Sequence, residues 1–195
     1  KCIGIDWNKN SPTEFYISGY HPGTGKWIAL ESVSIPSSEN SGERWEQETF
    51  RLNYKWRPNY IYADEGYGHT VIENIILHAH SLKSKKNRNA LEEEAIFIPD
   101  RLISFNFSST VDLRDPVTGQ KFKKAAKHFL VENAVRIFES GLFSFPEEDS
   151  ILLKQLGSYV ELRKSQTTGK PVYGMADPRV EDHKLDAMML SLGGL

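Results

Sequence analysis

Three acidic positions stand where folding alone does not ask for a carboxylate, and they hold the chemistry this sequence offers. Asp6 closes the apolar run Cys2-Ile3-Gly4-Ile5, and Asp64 closes Tyr60-Ile61-Tyr62-Ala63. The third lies in Glu181-Asp182-His183-Lys184-Leu185-Asp186-Ala187, where Asp182 and Asp186, four apart, stack on one helix face. Like charges at that spacing repel unless something positive sits between or before them, and a divalent cation would serve. Oxygen donors without a cysteine set suit Mg²⁺ or Mn²⁺ rather than zinc. Two such ions, about 3.5 to 4 Å apart, polarise a phosphate, generate hydroxide and stabilise the departing oxygen. The implied substrate is a phosphodiester. Each acid also has a plain structural role open to it: a strand-end turn for Asp6, a cap or turn before Gly66 for Asp64, an N-cap for Asp182. Thr70 with Glu73 forms a capping box for the helix after Asp64, which leaves Asp64 free of that task, with Glu65 as the neighbour able to replace it. Asp186, in a helix interior beside Ala187 and Met188, has no structural role of this kind. His69, His128 and His183 could assist, although a lone histidine is more commonly a surface or core residue.

The elements that must position these acids follow from periodicity. Segments 2–5, 14–20 and 26–34 read as an antiparallel meander turned at His21-Pro22-Gly23-Thr24-Gly25, and Trp45, Thr49, Leu52 and Trp56 recur at helical spacing until Arg57-Pro58. The next strand, 60–63, is predicted to lie parallel to the first, so that Asp6 and Asp64 end side by side at the carboxyl edge where open α/β sheets bind ligands. A helix over 70–82, a strand at 102–107, a helix over 122–138, a hairpin across 159–162 and 172–173, and a final helix at 182–192 complete the reading. That hairpin precedes the helix carrying Asp182. It must emerge beside the acids, which places Arg163, Lys164 and Lys170 to hold phosphates flanking a scissile bond. Lys121, Lys124 and Lys127 would track phosphates in the same way.

The composition restricts the rest. The chain has 195 residues, 24 Lys and Arg against 26 Asp and Glu, a net charge of −2 and 39% hydrophobic residues, which describes one folded domain with a real core. The balance excludes a strongly basic nucleic-acid binder but not local patches. A single cysteine, Cys2, excludes an internal disulfide and a cysteine zinc site. No membrane span or signal peptide is predicted, and the opening on an apolar strand without Met suggests a piece of a longer chain. Gly23-Thr24-Gly25-Lys26 is similar to the end of a P-loop, but Tyr20 and Trp27 stand where Gly and Ser/Thr belong, so no nucleotide is expected here.

Ile3-Gly4-Ile5-Asp6, Tyr62-Ala63-Asp64-Glu65-Gly66-Tyr67-Gly68 and Asp182-His183-Lys184-Leu185-Asp186-Ala187 resemble, in order and spacing, the three acidic motifs of the nuclease domain of tailed-phage large terminases. Lys127-His128-Phe129-Leu130-Val131 through Gly141, Phe145-Pro146, Leu153-Lys154-Gln155-Leu156 and Thr168-Gly169-Lys170-Pro171-Val172-Tyr173 resemble the same family. The resemblance implies a ribonuclease H-like α/β fold: a mixed sheet of a three-stranded antiparallel meander plus parallel strands, flanked by helices, with a C-terminal β-hairpin and final helix. It implies that residues 1–195 are one nuclease domain, following a packaging ATPase domain in a longer chain. The implied activity is two-metal endonucleolytic cutting of concatemeric double-stranded viral DNA, with Asp6 bridging two Mg²⁺ or Mn²⁺ ions, Asp64 holding one and Asp182 the other. Many members carry a second acid where His183 stands here, so Asp186 is the candidate further ligand; His183 and Glu65, the neighbour of Asp64, are auxiliary candidates. The implied partners are DNA, the portal and the small terminase subunit, in the host cytoplasm and transiently on the procapsid, with no membrane. A resolvase or transposase of the same fold would share the acids, and a catalytically silent module docking on DNA or portal is the non-enzyme alternative.

Overall fold

The computed structural model describes residues 1–166, 169 and 171–193. Its centre is a six-stranded mixed sheet in the order β5-β4-β1-β2-β3-β8. β1 (Cys2–Asp6), β2 (Thr13–His21) and β3 (Lys26–Ile35) form the expected antiparallel meander. α1 (Gly42–Trp56) starts at the N-cap Ser41, whose side chain accepts from the Arg44 N–H, and ends where Arg57 turns left-handed before Pro58. β4 (Tyr60–Asp64) then returns parallel to β1, with Ala63 beside Ile5. α2 (Glu65–Leu82), the short helices α3 (Ala90–Ala95) and α4 (Ile98–Arg101), and β5 (Leu102–Phe105), parallel to β4, follow. A two-stranded hairpin, β6 (Thr110–Arg114) with β7 (Lys121–Ala125), leads into α5 (Ala126–Glu139). β8 (Phe143–Ser144) adds to the β3 edge, and α6 (Ser150–Ser158) leads into the hairpin of β9 (Tyr159–Lys164) and β10 (Pro171–Met175). The last helix, α7 (His183–Ser191), crosses the sheet.

Three sequence expectations are corrected. The helix predicted over 122–138 starts only at Ala126, because 121–125 pair with β6 and leave Phe122 exposed. The turn of that hairpin rests on the Asp115 carboxylate, which accepts the N–H groups of Val117 and Thr118, and on Gly119 at φ +70°, a conformation other residues rarely adopt. α2 starts at Glu65, not Thr70, and the Asp64 side chain caps it by accepting the Gly66 N–H. Gly66 and Gly68 are poor helix formers in that first turn and conceal it from periodicity. β5 stops at Phe105, because Asn106 folds the chain into a side-chain turn by accepting the Ser108 N–H.

Strand alternation divides the core. Ile3, Ile5, Phe15, Ile17, Ile61 and Ala63 face α1 through α4, while Cys2 and Tyr16 face the layer of α5, α6 and α7. Each fully buried large side chain is worth roughly 1.5 to 3 kcal/mol relative to exposure. The same period of two puts Gly4 and Asp6 on the α7 face, and Asp64, three residues after Ile61, there as well. α7 lies so close to β1 that a Cβ on Gly4 would sit 1.9 Å from the Ala187 carbonyl oxygen, so only glycine fits there. Two hydrogen bonds fix the far end of α7: Ser18 Oγ donates to the Ser191 carbonyl at 2.9 Å and Asn133 Nδ2 to the Leu192 carbonyl at 2.9 Å. Among the described residues no helix is long and apolar enough to cross a membrane.

Candidate active site

The parallel β1–β4 register brings the Asp6 and Asp64 strand ends together, and α7 lays its first turn over the same edge. Asp6 is buried, and its Oδ2 takes the Asn8 side-chain amide at 3.1 Å and lies 2.8 Å from His183 Nδ1. Asp64 is also buried and accepts the Gly66 N–H at 3.2 Å. Burial pushes its carboxyl above the usual range, the Gly66 bond opposes that shift, and the charge of Asp6 adds to it. Asp182 occupies the N-cap position of α7, yet its side chain makes no capping bond. Gln155 of α6 does that work instead, its Oε1 accepting the Leu185 N–H at 2.7 Å. The carboxylate of Asp182 is therefore available to other partners.

Asp186 is buried in the first turn of α7, and both of its oxygens accept from Lys127 Nζ, which also lies 4.0 Å from Asp182 Oδ2. Burial pushes the Asp186 carboxyl up to about 7 against the pull of Lys127, and the neighbouring Asp182 and Asp6 push the same way. The surrounding acids overcome the burial of the Lys127 ammonium and hold its pKa above the usual range. Burial disfavours the His183 imidazolium, but its bond to Asp6 and the charges of Asp6, Asp182 and Glu181 outweigh that and raise it. The four aspartates thus form one electrostatically connected cluster with Lys127 and His183.

The other expected residues lie outside it. Glu65 faces His69 along α2, Oε1 to Nδ1 at 3.5 Å. Lys124 pairs with Glu132 of α5, and Lys121 is exposed on β7 opposite Arg114. Arg163 and Lys164 are exposed on β9 and border a groove of about 400 Å³ with Ser165, Gln166 and Val172. The β9 strand springs from the cluster: Tyr159, its first residue, has its ring 5.8 Å from Lys127 Nζ. Lys170 lies outside the described residues.

Two participants escaped the sequence reading. Glu14 lies on β2 directly across from Asp6, so the two share a face. It is buried, Ser34 Oγ donates to its Oε1 at 2.8 Å, and burial raises its carboxyl. Its only signal was an acid inside the apolar stretch 13–18. The other is the role of Lys127 as the cation between Asp182 and Asp186, which spacing along the chain cannot show.

The donors suit a hard divalent ion: carboxylate oxygens in excess of the positive charge beside them, one of them, Asp64, raised by burial and, among the described residues, bonded to no ammonium. Among the described residues no three carboxylate, imidazole or thiol groups converge as a ready ion cage. Protein donors engage two of the acids instead: His183 and Asn8 bond Asp6, and Lys127 bonds Asp186.

No family model matches the sequence, and no curated protein does. Similarity is found among solved structures. The large terminase nuclease of the thermophilic phage G20c superimposes with a TM-score of 0.65 at 17% identity over 97% of this chain and 79% of that one. The large terminase of the thermophilic bacteriophage D6E gives 0.58 at 12% identity, with all of this chain spanning 39% of its length. The large terminase (g2p) nuclease domain of bacteriophage SPP1 with bound Mn gives 0.50 at 14% identity over 97% of this chain and 82% of that one. With the sheet order, the paired strand-end acids and the closing helix already in place, these likenesses establish that the chain has the ribonuclease H-like fold of the phage large-terminase nucleases.

Proposed function

We propose that the chain is a divalent-metal-dependent endonuclease that cuts double-stranded DNA during viral genome packaging, as the nuclease part of a larger motor protein. The observation that carries this reading is the meeting of Asp6, Asp64, Asp182 and Asp186 at one edge of the sheet, from two strand ends and one helix. Asp6, Asp64 and Asp182 would hold Mg²⁺ or Mn²⁺, with Asp186 as the further candidate; the ions would supply charge to polarise the scissile phosphate and lower the pKa of the attacking water. The bound Mn of the SPP1 nuclease and the 39% span of the D6E large terminase support the metal and the larger assembly. In that assembly an ATPase domain, the portal and the small terminase subunit are the partners, and the host cytoplasm is the place.

The chain's own residues do the rest. His183, held by Asp6, orients that carboxylate and can hold a proton at Nδ1. Arg163 and Lys164, exposed on β9, would hold the backbone phosphates of a duplex that reaches the acids. Incubation of supercoiled plasmid with the chain and Mg²⁺ or Mn²⁺ tests the reading: the wild type nicks and linearises it, while EDTA or Asp6→Asn abolishes cutting. Robust cleavage in EDTA, or by Asp6→Asn, overturns it. The engagement of Asp6 and Asp186 by protein donors favours a second reading, a silent docking module of the same fold. That module would bind DNA or portal and leave the plasmid intact under every condition.

A further inference from the structure

Lys127 stands where local structure gives it no reason to be. It is the second residue of α5, at the positive end of the helix dipole, where a cation is disfavoured and where the helix has neither a side-chain cap nor an acid in its first turn. Its ammonium reaches instead across to α7. There it bonds both oxygens of Asp186 and lies 4.0 Å from Asp182, with the Phe107 ring at 4.6 Å and the Tyr159 ring at 5.8 Å closing the other sides. Two acids and two aromatic faces thus form a cation site, and the chain fills that site with its own lysine. The field of Lys127 also extends to Asp64 on the sheet.

We infer that Lys127 is a tethered cation that occupies the Asp182–Asp186 edge of the cluster in the ion-free chain and must leave before a divalent ion binds that edge. The inference rests on the metal reading above and adds an order to it. The Asp6–Asp64 edge, bonded to no lysine among the described residues, takes an ion first; the Asp182–Asp186 edge takes one only in competition with Lys127. Displaced, the ammonium remains tethered within a side chain's length of both acids, where a phosphate oxygen of a bound duplex is its natural new partner. The Lys127–Asp186 pair keeps a cluster of buried acids folded without metal and makes full loading depend on something that draws the lysine away.

The test is Mn²⁺ binding, followed by the electron paramagnetic resonance of free Mn²⁺, on the wild type, Lys127→Met, Lys127→Arg and Asp6→Asn. The wild type should show one stronger ion that Asp6→Asn removes and one weaker. Loss of a unit charge a few ångströms from the ligands should tighten the weaker ion in Lys127→Met at least about tenfold, while Lys127→Arg keeps it weak. Unchanged weak binding in Lys127→Met, with the stronger ion intact, overturns the inference and leaves the metal reading standing. Absence of Mn²⁺ binding in the wild type and in Lys127→Met overturns the metal reading and the inference with it. A second measurement needs no variant and covers a Lys127→Met that fails to fold. Acetylation of wild-type lysines, quantified by mass spectrometry, should find Lys127 protected without Mn²⁺ and several-fold more reactive at saturating Mn²⁺, with exposed Lys121 as the reference. Equal Lys127 reactivity in the two conditions overturns the inference.

Discussion

Asp64 caps α2 through one oxygen while lying within the fields of Asp6 and Lys127, so its structural and chemical roles can be separated by substitution. Asn is as good an N-cap as Asp. Asp64→Asn should therefore leave stability within about 0.5 kcal/mol of the wild type, or raise it by relieving repulsion from Asp6, while cleavage is lost. Asp64→Ala should lose cleavage and also about 1 kcal/mol, because the Gly66 N–H loses its acceptor. Urea unfolding beside plasmid cleavage checks both, and cutting at the wild-type rate by Asp64→Asn would remove this residue from the site. The Thr70-Glu73 pattern kept the cap and the ligand apart by assigning the cap to Thr70. The structure gives the cap to Asp64, the proposed ligand, because the helix begins on the residue after the strand.

α7 carries half of the acids, and its placement depends on two residues of other elements. Gly4 lets the helix backbone rest on β1, and Gln155 supplies the acceptor that the N-terminal turn would otherwise take from Asp182. Gln155→Ala should leave the buried Leu185 N–H unpartnered at a cost of about 1 to 3 kcal/mol. Asp182 would then be drawn toward the helix end it now ignores, so cleavage should weaken more than stability alone explains. Chemical denaturation with single-turnover cutting at a temperature where the variant is fully folded separates the two, and an unchanged rate there would show that Asp182 needs no such help. The strands and long helices were legible because burial imposes period two or 3.6 on them. β7 was misread because Phe122, Ala126 and Phe129 fit a helical stripe, and pairing with β6, an interaction between segments, overrides it.

Across the whole molecule, the sheet separates two cores, and the acid edge lies on the side of α5, α6 and α7 with the β9–β10 hairpin rising from it at Tyr159. Arg163 and Lys164, four and five residues along an extended strand, stand about 13 to 17 Å farther out, a reach that suits a duplex backbone. Replacing both by Ala should weaken binding to every DNA sequence alike and flatten its salt dependence by about 0.9 log unit for each phosphate no longer neutralised. Fluorescence anisotropy over a salt series measures this. An unchanged slope would leave these two as ordinary surface charges and shift attention to Lys121, exposed on the separate β6–β7 hairpin.

The sequence alone determined the meander, the parallel return of β4, the hairpin and the last helix, and it singled out the four aspartates as candidates. Each of these follows from a local pattern of apolar period, turn residues or charge spacing, which is written along the chain. Only the tertiary structure decided who neutralises whom. Lys127 and Asp186 are 59 residues apart, His183 and Asp6 are 177 apart, and Glu14 faces Asp6 across a strand pair. Electrostatic partnership depends on distance through the folded interior. A buried charge takes whichever counter-charge packing brings within a few ångströms, and no one-dimensional spacing encodes that choice.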